Sequence, residues 1–223
     1  MSAAAYDAVL FDMDGVLVER SPSWVFDEAA ADAFTTFETE PTEAEYEAVR
    51  SLAVLEDGVA DDIAGRHGLQ FGSIWAAREG LAAINQVRAV EAGEKTPYDG
   101  AEVLAELDRP AGVVSNNSQT AVEILLRRFG FHEHLDTWYG LQPTVEDAGN
   151  SKPSTTYLDR ALSDLGADHA LYVGDRATDV RAARNAGIDG AFVHREFNED
   201  EEFDTPPAHE FEDLHGLLDV LDG

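Results

Sequence analysis

The feature of the sequence that most constrains the fold is a short apolar run that ends in a polar turn, a unit that occurs three times. Apolar runs of this length bounded by turn residues are typical of strands buried in a sheet. Alternation of such strands with helices predicts an α/β fold with a parallel sheet covered by helices, in which ligands bind at the carboxyl ends of the strands. The predicted strands are Ala8–Phe11, Ala111–Val114 and Ala170–Val173, and the turns that follow them begin at Asp12, Ser115 and Gly174.

A long helical segment separates the first two predicted strands. Apolar residues recur there at helical spacing, which favours amphipathic helices over further strands. About 90 residues are too many for a simple crossover, so we predict a helical domain at residues 20–95, inserted as a lid above the sheet edge, and a core formed by residues 1–19 and 96–223. The three apolar sets are Phe26, Ala30, Ala33, Phe34 and Phe37, then Tyr46, Val49 and Ala53, then Ile74, Ala77, Leu81 and Ile84.

Charge and composition exclude several classes of partner. The 223 residues include 45 Asp and Glu against 15 Lys and Arg, a formal charge of −30 that repels nucleic acid and anionic membranes. Acids spread along the whole chain favour adaptation to a high-salt cytosol, because the Debye length falls to roughly 3 Å at molar salt. With no cysteine, any metal is held by oxygen or histidine ligands. The absence of a long apolar run or a basic leader in the sequence predicts a cytoplasmic protein.

The turns bring acidic residues together at the predicted sheet edge. Asp12, Asp14 and Asp175 follow strands there, and two like charges about 4 Å apart repel by roughly 4 kcal/mol at an effective dielectric of 20. A hard divalent cation is the usual reason for such a cluster, and oxygen ligands suit Mg²⁺, although Mn²⁺ accepts the same ligands. Ser115 lies beside a predicted helix N-terminus that favours a phosphate, and Lys152 can neutralise negative charge. A carboxylate that attacks phosphorus, with a group to protonate the leaving alkoxide, would complete a phosphoryl-transfer site.

Four motifs occur in order along the chain: Phe11–Leu17, Val114–Asn116, Lys152–Pro153 and Val173–Asp179. In sequence and order they resemble the motifs of the haloacid dehalogenase-like superfamily. The resemblance covers almost the whole chain, and it implies a Rossmann-like three-layer core with an inserted helical cap and a bound Mg²⁺. The second motif aspartate, Asp14, argues against dehalogenation, while Arg176 stands where many members carry a small Ser or Thr.

The resemblance also implies a role for each motif residue. Asp12 would be the nucleophile and a metal ligand, and Asp14 would be the general acid and base and hold Mg²⁺ through its backbone carbonyl. Asp175 would be a further metal ligand, with Asp179 supporting the metal site. Ser115 and Lys152 would act in catalysis by binding the phosphoryl group. The residues expected to bind substrate phosphate are Ser115, Asn116, Lys152 and Gly15.

Three functions remain open at this point. The first is a phosphatase acting on a small phosphorylated metabolite of the phosphoglycolate or sugar-phosphate class through an aspartyl phosphate. The second is a mutase of the same superfamily, since exclusion of water by the cap decides between hydrolysis and transfer. The third is a non-enzymatic phospho-switch resembling a receiver domain, which the Asp12–Asp14 pair on the first strand and the helical insertion disfavour. No pattern distinguishes a monomer from a homodimer, and Arg78 and Lys95 are expected to form ion pairs on helix surfaces.

Overall fold

The fold is built on one parallel sheet. The computed structural model describes residues 6–51 and 58–222. Its six strands are β1 Ala8–Phe11, β2 Ala111–Ser118, β3 Thr137–Leu141, β4 Ala170–Gly174, β5 Asp189–Val193 and β6 His209–Phe211. They pair in the order β3-β2-β1-β4-β5-β6, and every pairing is parallel. Strand β1 is central: β2 and β3 lie on one side of it, and β4, β5 and β6 lie on the other.

Between β1 and β2 the described chain is mostly helical. The helices there are α1 Trp24–Thr36, α2 Glu43–Ser51, α3 Val59–His67 and α4 Phe71–Glu91. Their apolar side chains, including Phe34, Ile63 and Trp75, form one hydrophobic cluster to which Ala148 also belongs. These helices occupy much of the segment predicted at residues 20–95, whereas Ala53 lies outside the described residues.

Helices cover both faces of the sheet. Those that follow β2 are α5 Gln119–Phe129, α6 Val145–Ala148, α7 Thr156–Leu165, α8 Ala177–Ala186 and α9 Gly216–Asp222. Residues of β1 alternate between two further hydrophobic clusters, Val9 and Phe11 in one and Leu10 in the other, because successive side chains of a strand point to opposite faces. The first of these clusters includes residues of α5 and α9, and the second includes residues of α7 and α8. The predicted α/β fold with three layers is therefore confirmed.

Two details of the fold position the site. The neighbours of β1 are β2 and β4, so the carboxyl ends of these three strands lie side by side. The strand order reverses at β1, and ligands of such sheets usually bind at this topological switch point. Strand β2 continues through Ser118, and α5 begins only at Gln119, so Ser115 stands inside the strand and not beside the helix N-terminus. Within the described residues, no helix combines the length and the apolarity needed to cross a bilayer.

Candidate active site

Asp12 follows β1 directly and is 7% exposed. Its Oδ1 accepts a hydrogen bond from the Met13 N–H at 2.7 Å, and its Oδ2 lies 2.9 Å from Lys152 Nζ. The backbone N–H of Asp12 donates to the Val173 carbonyl of β4 at 2.8 Å, so the residue continues the sheet. Backbone and carboxylate are both held, which restricts the directions in which the Asp12 oxygens can face.

Two further aspartates lie beside Asp12. Oxygens of Asp12, Asp175 and Asp179 come within 4.8 Å of one another, and Asp175 and Asp179 are each 1% exposed. The close approach requires glycine nearby: a Cβ on Gly15 would overlap the Asp175 carboxylate, and a Cβ on Gly174 would overlap Asp179. Gly15 also has φ +85°, which favours glycine. The glycines of both motifs thus make room for the acids.

The electrostatics of this cluster favour a cation. Both carboxylate oxygens of Asp175 are buried without a hydrogen-bond partner. Burial, together with the charges of Asp12 and Asp179, raises the pKa of Asp175 from 3.8 to about 8. A buried carboxylate left unpaired is costly, and a hard divalent ion would supply the missing partner with an all-oxygen donor set. The predicted ligands Asp12 and Asp175, together with the neighbouring Asp179, therefore fit Mg²⁺.

Lys152 supplies positive charge to this cluster of carboxylates. Its Nζ lies 2.9 Å from Asp12 Oδ2 and 2.7 Å from Asp179 Oδ1, and it donates to the Tyr172 hydroxyl at 2.9 Å. Burial alone would lower the pKa of Lys152, but the adjacent Asp12 and Asp179 raise it well above its ordinary value. The lysine is therefore a fixed ammonium, and one cation is shared between two acids.

The residues predicted to bind phosphate differ in what their polar groups contact. Ser115 is 4% exposed and lines the same cavity as Asp12; its Oγ accepts from the Asn117 N–H at 3.2 Å, which leaves its own proton to donate. The cap of α5 is Ser118, not Ser115. Asn116 uses its Oδ1 to accept the Lys152 N–H at 2.9 Å, so it holds the lysine loop. The Gly15 N–H donates to the Val18 carbonyl, so the contribution visible for Gly15 is steric.

Asp14 faces the cavity and pairs with Lys95, a residue predicted to lie on a helix surface. Its Oδ1 lies 2.6 Å from Lys95 Nζ, and Lys95 is fully buried. The expectation of a surface ion pair for Lys95 was wrong, because the lysine follows α4 and turns inward at the sheet edge. Arg195 was missed as well: it donates to the carbonyls of Gly15 and Val16 at 2.9 and 3.1 Å and so fixes the loop after Asp14. The rarity of lysine in this chain was the only available signal for Lys95.

A cavity of about 530 Å³ extends between the sheet edge and the helices α1, α2 and α4. The groups described above that line it are Asp12, Asp14, Ser115, Asn116, Lys152 and Asp179. Arg78 of α4 belongs to its wall, is 5% exposed and pairs with Glu79, so a surface position for Arg78 was also wrong. Among the described residues, five lysines and arginines line the cavity together with four acids, and three of the five cations are paired with acids. The five cations are Arg20, Arg50, Arg78, Lys152 and Arg176.

Comparison with known proteins agrees with this geometry. A family model described as haloacid dehalogenase-like hydrolase matches residues 6–187. The N-acetylmuramic acid 6-phosphate phosphatase of Pseudomonas aeruginosa is 29% identical over 96% of this chain and 94% of its own length, and a phosphoglycolate phosphatase of Synechococcus elongatus is 30% identical over 86% and 85%. The structure of CbbY from Rhodobacter sphaeroides in complex with phosphate shares the fold with a TM-score of 0.70 at 22% identity, covering 98% of this chain and all of the other.

Proposed function

The chain belongs to the haloacid dehalogenase-like hydrolase family, and we propose that it is a Mg²⁺-dependent phosphatase that hydrolyses a small phosphomonoester through an aspartyl phosphate on Asp12. The observation that carries the proposal is the carboxylate of Asp12, held between the Met13 N–H and Lys152 at the floor of a cavity and adjoining the unpartnered Asp175. A preorganised carboxylate beside fixed positive charge suits nucleophilic attack on phosphorus.

The reaction divides into two balanced steps. A carboxylate oxygen of Asp12 attacks phosphorus, the ester P–O bond breaks, and the departing alkoxide takes a proton from Asp14. Asp14 then accepts a proton from water as the water oxygen attacks the same phosphorus, and the bond between phosphorus and Asp12 breaks to release inorganic phosphate. Asp14 suits both roles because it lies two residues from the nucleophile and lines the same cavity.

Other residues of the chain hold the phosphoryl group during these steps. Lys152 lies within ion-pair distance of Asp12 and is positioned to neutralise charge on the transferred oxygens, while the Ser115 hydroxyl donates a hydrogen bond to them. Asp12, Asp175 and Asp179, with the backbone carbonyl of Asp14, would hold Mg²⁺. When bound, that ion supplies further positive charge at the phosphate and relieves the repulsion among the acids.

The substrate that the cavity supports is a small anion of the phosphoglycolate or sugar-phosphate class. The volume of about 530 Å³ accommodates a metabolite. Arg20 and Arg176 line the cavity without an ion-pair partner among the described residues, and they favour an anion that carries charge beyond the phosphate. The two relatives described above are named for phosphorylated acids, which supports the same class. Helices α1, α2 and α4, which form one wall, would act as the cap that excludes water.

Hydrolysis of a panel of phosphomonoesters in molar KCl tests this proposal. Wild-type protein with MgCl₂ should release phosphate, and EDTA or the Asp12→Asn substitution should abolish the release. Asp164→Asn is the matched control, because Asp164 accepts hydrogen bonds from Thr137 and Tyr139, is not one of the residues lining the cavity, and should leave turnover unchanged.

Two results would count against the proposal. Turnover that survives in folded Asp12→Asn protein would exclude Asp12 as the nucleophile. An aspartyl phosphate that forms with every ester but passes its phosphoryl group only to an added sugar phosphate, and not to water, would indicate a mutase.

A further inference from the structure

We propose that Lys95 is a positioning residue that holds Asp14 in the orientation needed to protonate the leaving group, an inference that rests on the proposed function. Lys95 Nζ lies 2.6 Å from Asp14 Oδ1 and donates to Ser21 Oγ at 2.9 Å. The lysine has no solvent-exposed surface, whereas the Asp14 side chain is 22% exposed toward the cavity. One oxygen of Asp14 is therefore fixed from inside the protein while the carboxylate still reaches the cavity.

Burial of this ammonium argues for a dedicated role. Removing a lysine from water costs several kcal/mol unless an opposite charge and hydrogen bonds replace its hydration. The chain has only two lysines, and the other, Lys152, contacts the nucleophile. A methionine or leucine would fill the same volume at lower cost if packing were the only requirement at position 95.

Lys95 also lies where the helical segment joins the sheet. It follows the end of α4, and its second partner Ser21 precedes α1, so the two connections between helices and sheet meet at one ammonium. Ser21 Oγ donates to Gln86 Oε1 at 3.2 Å, and Gln86 Nε2 donates to Asn117 Oδ1 of β2 at 3.3 Å. The orientation of Asp14 is thereby linked to the placement of the helices that form the cavity wall.

This role predicts a loss that depends on the leaving group. An alkoxide needs a proton as it departs, whereas a dinitrophenolate leaves without one, and general acid catalysis contributes about 10²–10⁴-fold where a proton is needed. The Lys95→Met variant should lose about 100-fold or more in kcat/KM on alkyl phosphates and less than about 3-fold on 2,4-dinitrophenyl phosphate. The ratio kcat/KM is the proper readout because it covers only the steps through formation of the aspartyl phosphate.

The control is Arg109→Met, which removes another largely buried cation that donates to the Tyr6 and Leu221 carbonyls and does not line the cavity. Any loss in that variant should be equal for the two esters. Equal losses in Lys95→Met, or no loss, would overturn the positioning role. Absence of turnover in the wild type would instead refute the proposed function, so the two failures are distinguishable.

A second variant separates the role of the ammonium from damage to the fold. Because the chain has no cysteine, Lys95→Cys carries a single thiol that 2-bromoethylamine, applied in denaturant, converts to a thioether analogue of lysine before refolding. The alkylated protein should regain at least about half of the alkyl-phosphate activity, while protein alkylated with ethyl bromide should not. Equal activity in the two alkylated samples, with matching circular dichroism, would overturn the proposal.

Discussion

Replacement of Asp175 by asparagine should stabilise the metal-free protein and abolish its response to Mg²⁺. The Asp175 oxygens are buried without partners, and burial together with Asp12 and Asp179 raises the pKa of Asp175 to about 8. An amide of the same shape removes the charge while keeping the packing. The substitution therefore separates the cost of the buried charge from the volume of the side chain.

The sign and size of the effect follow from linkage between protonation and folding. A raised pKa means that the folded state binds the proton more tightly, so the stabilisation is complete below the unfolded value of 3.8 and is lost as the pH rises to about 8. Each pKa unit corresponds to about 1.4 kcal/mol, which sets an upper limit of roughly 6 kcal/mol over this range. The amide of the variant carries no such proton, so metal-free Asp175→Asn should exceed the wild type most at pH 8 and least near pH 4.

Chemical unfolding between pH 4 and pH 8.5 in molar KCl, with EDTA or with MgCl₂, provides the measurement. Mg²⁺ should raise the free energy of unfolding of the wild type increasingly with pH, because binding requires the ionised carboxylate. The Asp175→Asn curves with and without Mg²⁺ should coincide.

Asp164→Asn is the control of opposite sign. Hydrogen bonds from Tyr139 and Thr137 lower the pKa of Asp164, so this carboxylate stabilises the fold at neutral pH and the contribution is lost as the pH falls. Asp164→Asn should be less stable than the wild type at pH 8 and retain the Mg²⁺ response. The reasoning is refuted if metal-free Asp175→Asn is less stable than the wild type at pH 8, or if Mg²⁺ stabilises both proteins equally.

Two further predictions concern the glycines and the charge. Gly174→Ala places a Cβ against Asp179, and overpacking at this site should cost about 1–3 kcal/mol of unfolding free energy and most of the turnover. Gly80→Ala, in the exposed middle of α4 with no atom within 4 Å of the added Cβ, should stabilise by about 0.5–1 kcal/mol, and a destabilised Gly80→Ala would contradict this account. The charge of −30 predicts that the unfolding free energy rises as KCl increases from 0.1 M to 3 M, since screening shortens from about 10 Å to less than 3 Å. Full helical circular dichroism and cooperative unfolding in dilute, metal-free buffer would show that no such salt requirement exists.

Local patterns were sufficient for the elements that are uniformly buried. Strand β1 begins and ends where the apolar run does, because Ala8–Phe11 is buried on both faces. Strand β2 extends through Ser118, beyond its apolar part, since pairing with Leu141 of β3 holds polar residues in the sheet. Strands β3, β5 and β6 were not predicted; β3 is only partly buried and β6 has three residues, so both lack a continuous apolar signal.

Contacts between distant segments could not be read from the chain. Turn chemistry marks Asp12, Ser115 and Asp175 locally, whereas Lys152 was identified as one of only two lysines and by the resemblance to a family motif. Lys95 and Arg78 were misplaced because spacing along a helix does not reveal what packs against it. An isolated lysine has the same local sequence signature whether it points to solvent or to a carboxylate 81 residues away.

The five cations around the cavity also bear on how fast a substrate arrives. We expect the field of a protein of charge −30 to repel a phosphomonoester at long range in dilute solution, whereas close to the cavity Arg20 and Arg176 should attract it. Added salt weakens the distant repulsion before it weakens attraction at close contact, because screening acts most strongly beyond one Debye length. We therefore expect the anion and the enzyme to associate faster in concentrated brine than in dilute buffer, the reverse of the salt dependence usual for electrostatically steered encounters.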